Sequence, residues 1–150
     1  MSRSGYTENC DNNWDLIKWR GQVASAIRGK RGQTFLRELV AALDAMPEKR
    51  LIAHELTASI VEVDPFGGGY VREGVCAIGS VGVARGITME ALDPDNYDQI
   101  ADVFGIAHQL VQEIEFENDE DGDYYGKRTP EQRWAHMRAW AAGKLKEPPK

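Results

Sequence analysis

Cysteine is nearly missing from this chain: Cys10 and Cys76 are the only two among its 150 residues, too few for the disulfide framework of a small secreted domain. No charged-then-apolar leader opens it. Together these absences predict a cytoplasmic protein with free thiols. Long hydrophobic runs are missing too. The longest apolar stretches fall far short of the roughly 20 residues that cross a bilayer, so no membrane association is expected. Positive charge is scarce in the middle of the chain, where residues 51–126 hold only Arg72 and Arg85 against sixteen Asp/Glu. The flanks reverse the balance, with nine Lys/Arg against six acids before residue 51 and seven against two after residue 126. The net charge of -6 therefore conceals an acidic centre between basic ends, a pattern that permits a negative face for a basic partner.

What is present reads as one folded domain spanning 1–150, with residues 1–10 as a loose arm and 146–150 as a tail. Asp11 or Asn12 caps a first helix whose apolar positions are Trp14, Ile17, Val23, Ala24 and Ile27. Gly21 weakens it, which suggests close packing there. Gly29-Lys30-Arg31-Gly32 forms a sharp connection. A second helix follows with Thr34 as cap, Phe35, Leu36, Leu39, Val40, Leu43 and Met46 as its stripe, and Pro47 as its stop. Ser59 to Val63 alternates like a strand, residues 64–69 form a turn, and Tyr70 to Arg72 returns. Val75 to Gly86 fits either a strand or a small-residue helix, and Gly86 as a C-terminal stop favours the helix.

Asp93-Pro94 predicts the next helix start, with Ile100, Val103 and Phe104 buried. After Gly105, Ile106, Leu110, Val111 and Ile114 continue at helical period. Glu115 to Asp123 reads as an exposed acidic loop. Thr129-Pro130-Glu131-Gln132 is a capping box opening a last helix with Trp134, Met137, Ala141 and Leu145 on one face. The fold class is mainly α (α+β): a compact multi-helix domain with a small β-hairpin near residues 57–72.

Apparent motifs fail on their chemistry. With Glu117 at position one of a calcium loop, Asp119, Asp121 and Gly122 fall at three, five and six, but Arg128 occupies position twelve, where a bidentate Glu belongs. Starting from Asp121 puts Tyr125 at five and Gln132 at twelve. His54-Glu55 opens like a zinc-protease helix, but Ala58 stands where the second histidine is required. His108 and His136 have no ligand-spaced neighbours. The glycines at 67–69 lack the Lys-Ser/Thr of a phosphate loop. No metal, cofactor or catalytic residue is nominated, and a non-enzymatic role is the expectation.

Two charged clusters have a binding use. Glu117, Asp119, Glu120, Asp121 and Asp123 form an acidic stretch able to meet a basic protein surface. Arg28, Lys30 and Arg31 form a basic turn able to contact nucleic-acid phosphates. Against the second, the overall acidic charge is repelled by phosphates, and the following helix offers few side chains to read base edges.

The runs Trp19-Arg20-Gly21, Ala26 to Gln33, Phe35-Leu36 and Ala42 to Pro47 resemble a group of uncharacterised small helical proteins encoded by bacteriophages and prophages. Cys76 to Gly79, Phe104 to Ala107, Glu117 to Glu120 and Thr129 to Trp134 are similar to the same group. Residues 57–72 read as an insertion relative to that pattern. The resemblance implies a phage origin and a helical domain with Cys76 inside a helix, and brings no established activity. The functional expectation is a phage accessory protein that binds a host or phage protein, as an inhibitor of a host defence system. Nucleic-acid binding through the basic turn is the alternative. Because neither acidic register supplies a twelfth-position carboxylate, millimolar calcium is expected to leave the melting temperature unchanged; a calcium-dependent rise in a thermal melt would reveal a coordination site that the spacing lacks.

Overall fold

The computed structural model describes residues 3–5, 12–120 and 128–147. Among them are six helices and one two-stranded sheet: α1 Asn13–Arg28, α2 Lys30–Ala45, β1 Thr57–Val63, β2 Gly69–Val75, α3 Ala77–Arg85, α4 Tyr97–Phe104, α5 His108–Asp119 and α6 Pro130–Gly143. The mainly helical class with an inserted hairpin is what the sequence pattern predicts.

Asn12 caps α1 by accepting from the Asp15 N–H at 2.9 Å. A single extended residue, Gly29, then separates α1 from α2. The second helix thus begins four residues before the expected cap at Thr34. Gly32 belongs to its first turn, where a Cβ would lie 1.9 Å from the Ala26 carbonyl oxygen. Helix α2 is the central element, packed between α3 and α6. Phe35, Leu36, Leu39, Val40 and Leu43 are buried along it, as their helical spacing requires. The inner face of α1 runs through Val23 and Ile27, with Trp19 packed at the core's edge. Trp14 and Ile17, expected on that face, are instead 66% and 62% exposed. They lie beyond the stretch of α1 that its neighbours cover.

Residues 77–85 are a helix. Cys76 is its N-cap residue rather than a member of it, its Sγ accepting from the Gly79 N–H at 3.4 Å. Gly86 closes it in the left-handed conformation, φ 72°. Small residues are needed because this helix lies in the core: a Cβ on Gly79 would fall 2.1 Å from the Leu56 carbonyl oxygen. Helix α4 starts later than Asp93-Pro94 suggests. Asn96 is the cap, accepting from the Gln99 N–H at 3.0 Å, while Asp93 forms a side-chain turn with the Asp95 N–H at 2.9 Å. Ile100, Ala101 and Phe104 form its buried face, and Val103 is 38% exposed.

Thr129 and Gln132 form the expected reciprocal capping box at α6. Met137 and Ala141 are fully buried on that helix. Trp134 is half-buried, its Nε1–H donating to the Leu43 carbonyl at 3.1 Å, with the Lys49 ammonium 5.4 Å from its ring centre. Buried Gln33 joins the helix ends. Its Nε2 donates to the carbonyls of Ile27 and Lys144 at 2.8 and 3.0 Å, and its Oε1 accepts from the Lys146 N–H at 2.9 Å. The start of the expected tail is therefore tied to the core.

The glycines divide sharply. At Gly21 a Cβ would meet nothing within 4 Å, so its expected packing role is not found. Gly21→Ala is expected to stabilise the fold by up to about 1 kcal/mol through helix propensity. Gly79→Ala should destabilise it by several times that, because the clash is with backbone. Thermal melts of the two variants, moving in opposite directions from wild type, check both.

Candidate functional site

The acidic run is not a loop up to residue 120. Helix α5 continues through Asp119, and Glu115, Asn118 and Asp119 are buried. Asp119 receives Arg3, whose Nη2 donates to Oδ1 at 2.9 Å, and the same oxygen accepts from the His54 N–H at 3.0 Å. Glu117 pairs with His136 at 2.8 Å. Glu120 accepts from the Ser4 hydroxyl. Asp121 and Asp123 lie outside the described residues. An open acidic surface over 115–120 is therefore corrected to a structural knot, because period-four burial of Val111, Glu115 and Asp119 overrides their polarity. Arg3 and Ser4 are 4% and 1% exposed, so this part of the expected loose arm is packed.

Burial pushes the Glu115 carboxyl up to about 8; Arg3 opposes the shift, and Asp119, Asp95 and Glu120 add to it. Neither Glu115 oxygen has a hydrogen-bond partner. Burial alone would also raise Asp119, but its hydrogen bonds and charge contact with Arg3 hold it below the usual carboxylate range. Burial pushes the Cys76 thiol up, against Arg3 3.7 Å away. A fully buried thiol so shifted is a poor nucleophile. Among the described residues no group of three or more His, Cys, Asp or Glu is arranged to hold a metal ion.

The basic turn of Arg28, Lys30 and Arg31 is exposed at the α1–α2 junction. Lys30 and Arg31 edge a shallow groove of about 260 Å³ floored by Phe35, Phe104 and Ile106. Its third cation, Arg85, is committed to Glu38 at 2.7 Å and lies over both phenyl rings.

The feature that sequence reasoning missed is the outer face of the hairpin. In the antiparallel register, Ser59 stands opposite Glu73, Val61 opposite Val71, and Val63 opposite Gly69. Cross-strand partners share a face. Val61, Val63 and Val71 are 68%, 72% and 65% exposed on it, and Phe66 at the turn is 98% exposed. The turn is well defined: Asp64 Oδ1 accepts from the Phe66 and Gly68 N–H groups at 2.8 and 3.0 Å. The opposite face anchors the hairpin. Arg72 there joins Glu48 and Glu62, and Arg50 joins Glu62 and Glu131 at 3.3 and 3.0 Å. At the base of the outer face a groove of about 320 Å³ runs between β1 and residues 89–94, edged by Glu55, Glu73 and Glu90. The outer face itself carries valines and a carboxylate and no cation.

Comparison with known proteins found no matching family model, no matching curated protein and no matching solved structure. No helix among the described residues is long and apolar enough to cross a membrane.

The Glu115 shift gives a pH dependence with a definite sign. A carboxyl raised in the folded state contributes stability that is full below its ordinary value of 4.5 and lost as pH rises to about 8. Glu115→Gln is therefore expected to raise the melting temperature at pH 8 by several degrees relative to wild type, with little or no gain at pH 4.5. Equal gains at both values would show that the carboxyl titrates normally.

Proposed function

We propose that the protein is a non-enzymatic binding protein that engages a host or phage protein through the outer face of the β1–β2 hairpin. The carrying observation is the joint exposure of Val61, Val63, Val71 and Phe66 on a hairpin anchored from behind by ion pairs. Clustered exposed apolar side chains mark interaction surfaces, whereas scattered ones do not. A partner that covers this face gains their burial, at about 25 cal/mol per Å² of apolar surface removed from water.

Charge narrows the partner. Glu55, Glu73 and Glu90 edge the groove at the base of the outer face, so a surface carrying apolar and basic side chains is complementary and an acidic one is repelled. In the phage setting implied by the resemblance, the fitting role is an accessory protein of the host cytoplasm that covers a basic working surface of a defence protein. This moves the expected acidic contact from residues 117–123 to the hairpin and its base. The exposed Arg28, Lys30 and Arg31, the last two at the edge of a groove, favour the second reading, nucleic-acid binding at the α1–α2 junction.

The experiment is a tagged pull-down from infected cells, repeated with the Val61→Lys/Phe66→Ser double variant. The expected result is a partner recovered by wild type and lost with the variant, while circular dichroism of the two proteins is the same. Retention of that partner by the variant, with loss on replacing Arg28, Lys30 and Arg31, overturns the ranking in favour of nucleic acid.

A further inference from the structure

A two-stranded sheet has two edges, and the outer edge of β2 is open in a particular way. In an antiparallel pair, residues alternate between directing both backbone groups at the partner strand and directing both away. The hydrogen-bonded rungs closing this hairpin are Asp64 N–H to Gly68 O at 2.7 Å and Cys76 N–H to Leu56 O at 3.1 Å. Counting by twos between them, Tyr70, Arg72 and Gly74 face β1, while Gly69, Val71, Glu73 and Val75 face outward. The Val75 carbonyl confirms the phase, since it accepts from the Ile52 N–H at 2.9 Å on that outer side. Beyond this one rung the edge continues without a partner: no hydrogen bond of the described residues reaches the N–H or C=O of Val71 or Glu73 on that side.

Two clefts share this edge. The first, about 320 Å³, is lined by Ile52, Ile60, Gly74 and Pro130. The second, about 290 Å³, is lined by Ala42, Ala45, Val83 and Ala84. Met46, Pro47, Glu73 and Val75 belong to both, so the β2 edge and the end of α2 form the divide between them. Successive side chains of a strand point to opposite faces. A strand laid along this edge would send alternate side chains into the two clefts, while its backbone meets Val71 and Glu73.

We propose that the partner supplies an extended segment that pairs with the outer edge of β2, extending the rung that Ile52 begins. This deepens the proposed function and rests on its reading of the hairpin as the binding element. The segment has apolar side chains on the side of Ile52 and Ile60 and basic ones on the side of Glu73. Arg50 and Arg72 do not oppose that choice, because Glu48, Glu62 and Glu131 already hold them. Main-chain pairing supplies affinity and the alternate pockets supply selectivity, as in other strand-addition recognition.

The test uses the full chain, ¹⁵N-labelled, and an acetylated, amidated heptapeptide of alternating lysine and valine. Amide exchange at Val71 and Glu73 is expected to slow at least about tenfold on peptide addition, with little change at Tyr70 and Arg72, which already pair with β1. Val71→Pro removes an outward N–H together with the valine side chain and breaks no rung of the hairpin's own ladder, and it is expected to weaken peptide binding at least about tenfold. Val71→Thr changes the side chain but keeps that N–H, and Val71→Pro is expected to bind at least about tenfold more weakly than Val71→Thr, which separates the N–H from the side chain. A peptide N-methylated at its edge-facing amides should fail to bind. Binding unaffected by Val71→Pro and by N-methylation, but lost with Val61→Lys, overturns the strand-addition model and leaves the outer-face reading standing. No peptide binding at millimolar concentration overturns it as well. So does a dimer that Val71→Pro dissociates, since the edge would then belong to a second copy of the chain.

Discussion

The structure depends on a buried polar knot at the C-terminal end of α5. The Asn118 side chain accepts from the Ala77 N–H at 3.0 Å and donates to the Ile52 carbonyl at 2.9 Å. Its own carbonyl accepts from Arg133 at 2.9 Å, and Arg133 also donates to the Leu51 carbonyl at 3.1 Å. One turn-length of helix thus ties the starts of α3 and α6 to the segment leading into β1. Arg3 and Asp119 add the amino-terminal residues. Buried polar groups are costly unless satisfied and specify a single arrangement when they are. The knot holds irregular backbone at residues 51–54 that no helix or strand supports, and the hairpin grows from that backbone.

The anchoring explains how so small a sheet stands away from the helices. An isolated hairpin is marginal in water. Here one face is held through Arg50, Arg72, Glu48 and Glu62, and its base is joined to the chain by Ile52 and Leu56. These contacts leave the opposite face and the β2 edge free. The acidic residues that make the middle of the chain negative meet different fates in the fold. Glu115 and Asp119 are buried, whereas Glu55, Glu73 and Glu90 edge the groove at the base of the hairpin.

Much of the local structure was legible from the residues. The α2 stripe from Phe35 to Leu43, the capping box at Thr129 and Gln132, the stop at Gly86 and the strand alternation from Ser59 to Val63 each follow from short-range stereochemistry, and each is found. Helix starts were less legible. Gly29 alone turns the chain between α1 and α2, because close backbone approach at Gly32 makes a longer connection unnecessary. At the next junction Asp93 is occupied by its own side-chain turn, and Asn96 takes the cap.

The sequence by itself determined the helical periodicity, the caps and turns, and the charge division along the chain, because these depend on residues within a few positions of one another. Only the tertiary structure decided which faces those elements present. Alternation at residues 59–63 does not say whether Val61 or Glu62 points outward; the ion pairs of Arg72 and Arg50, made with residues distant in sequence, decide it. Nor does an acidic run state its own exposure. Asp119 is buried because Arg3, more than a hundred residues away, supplies the charge that makes burial tolerable, and pairing across that distance has no signature in local spacing.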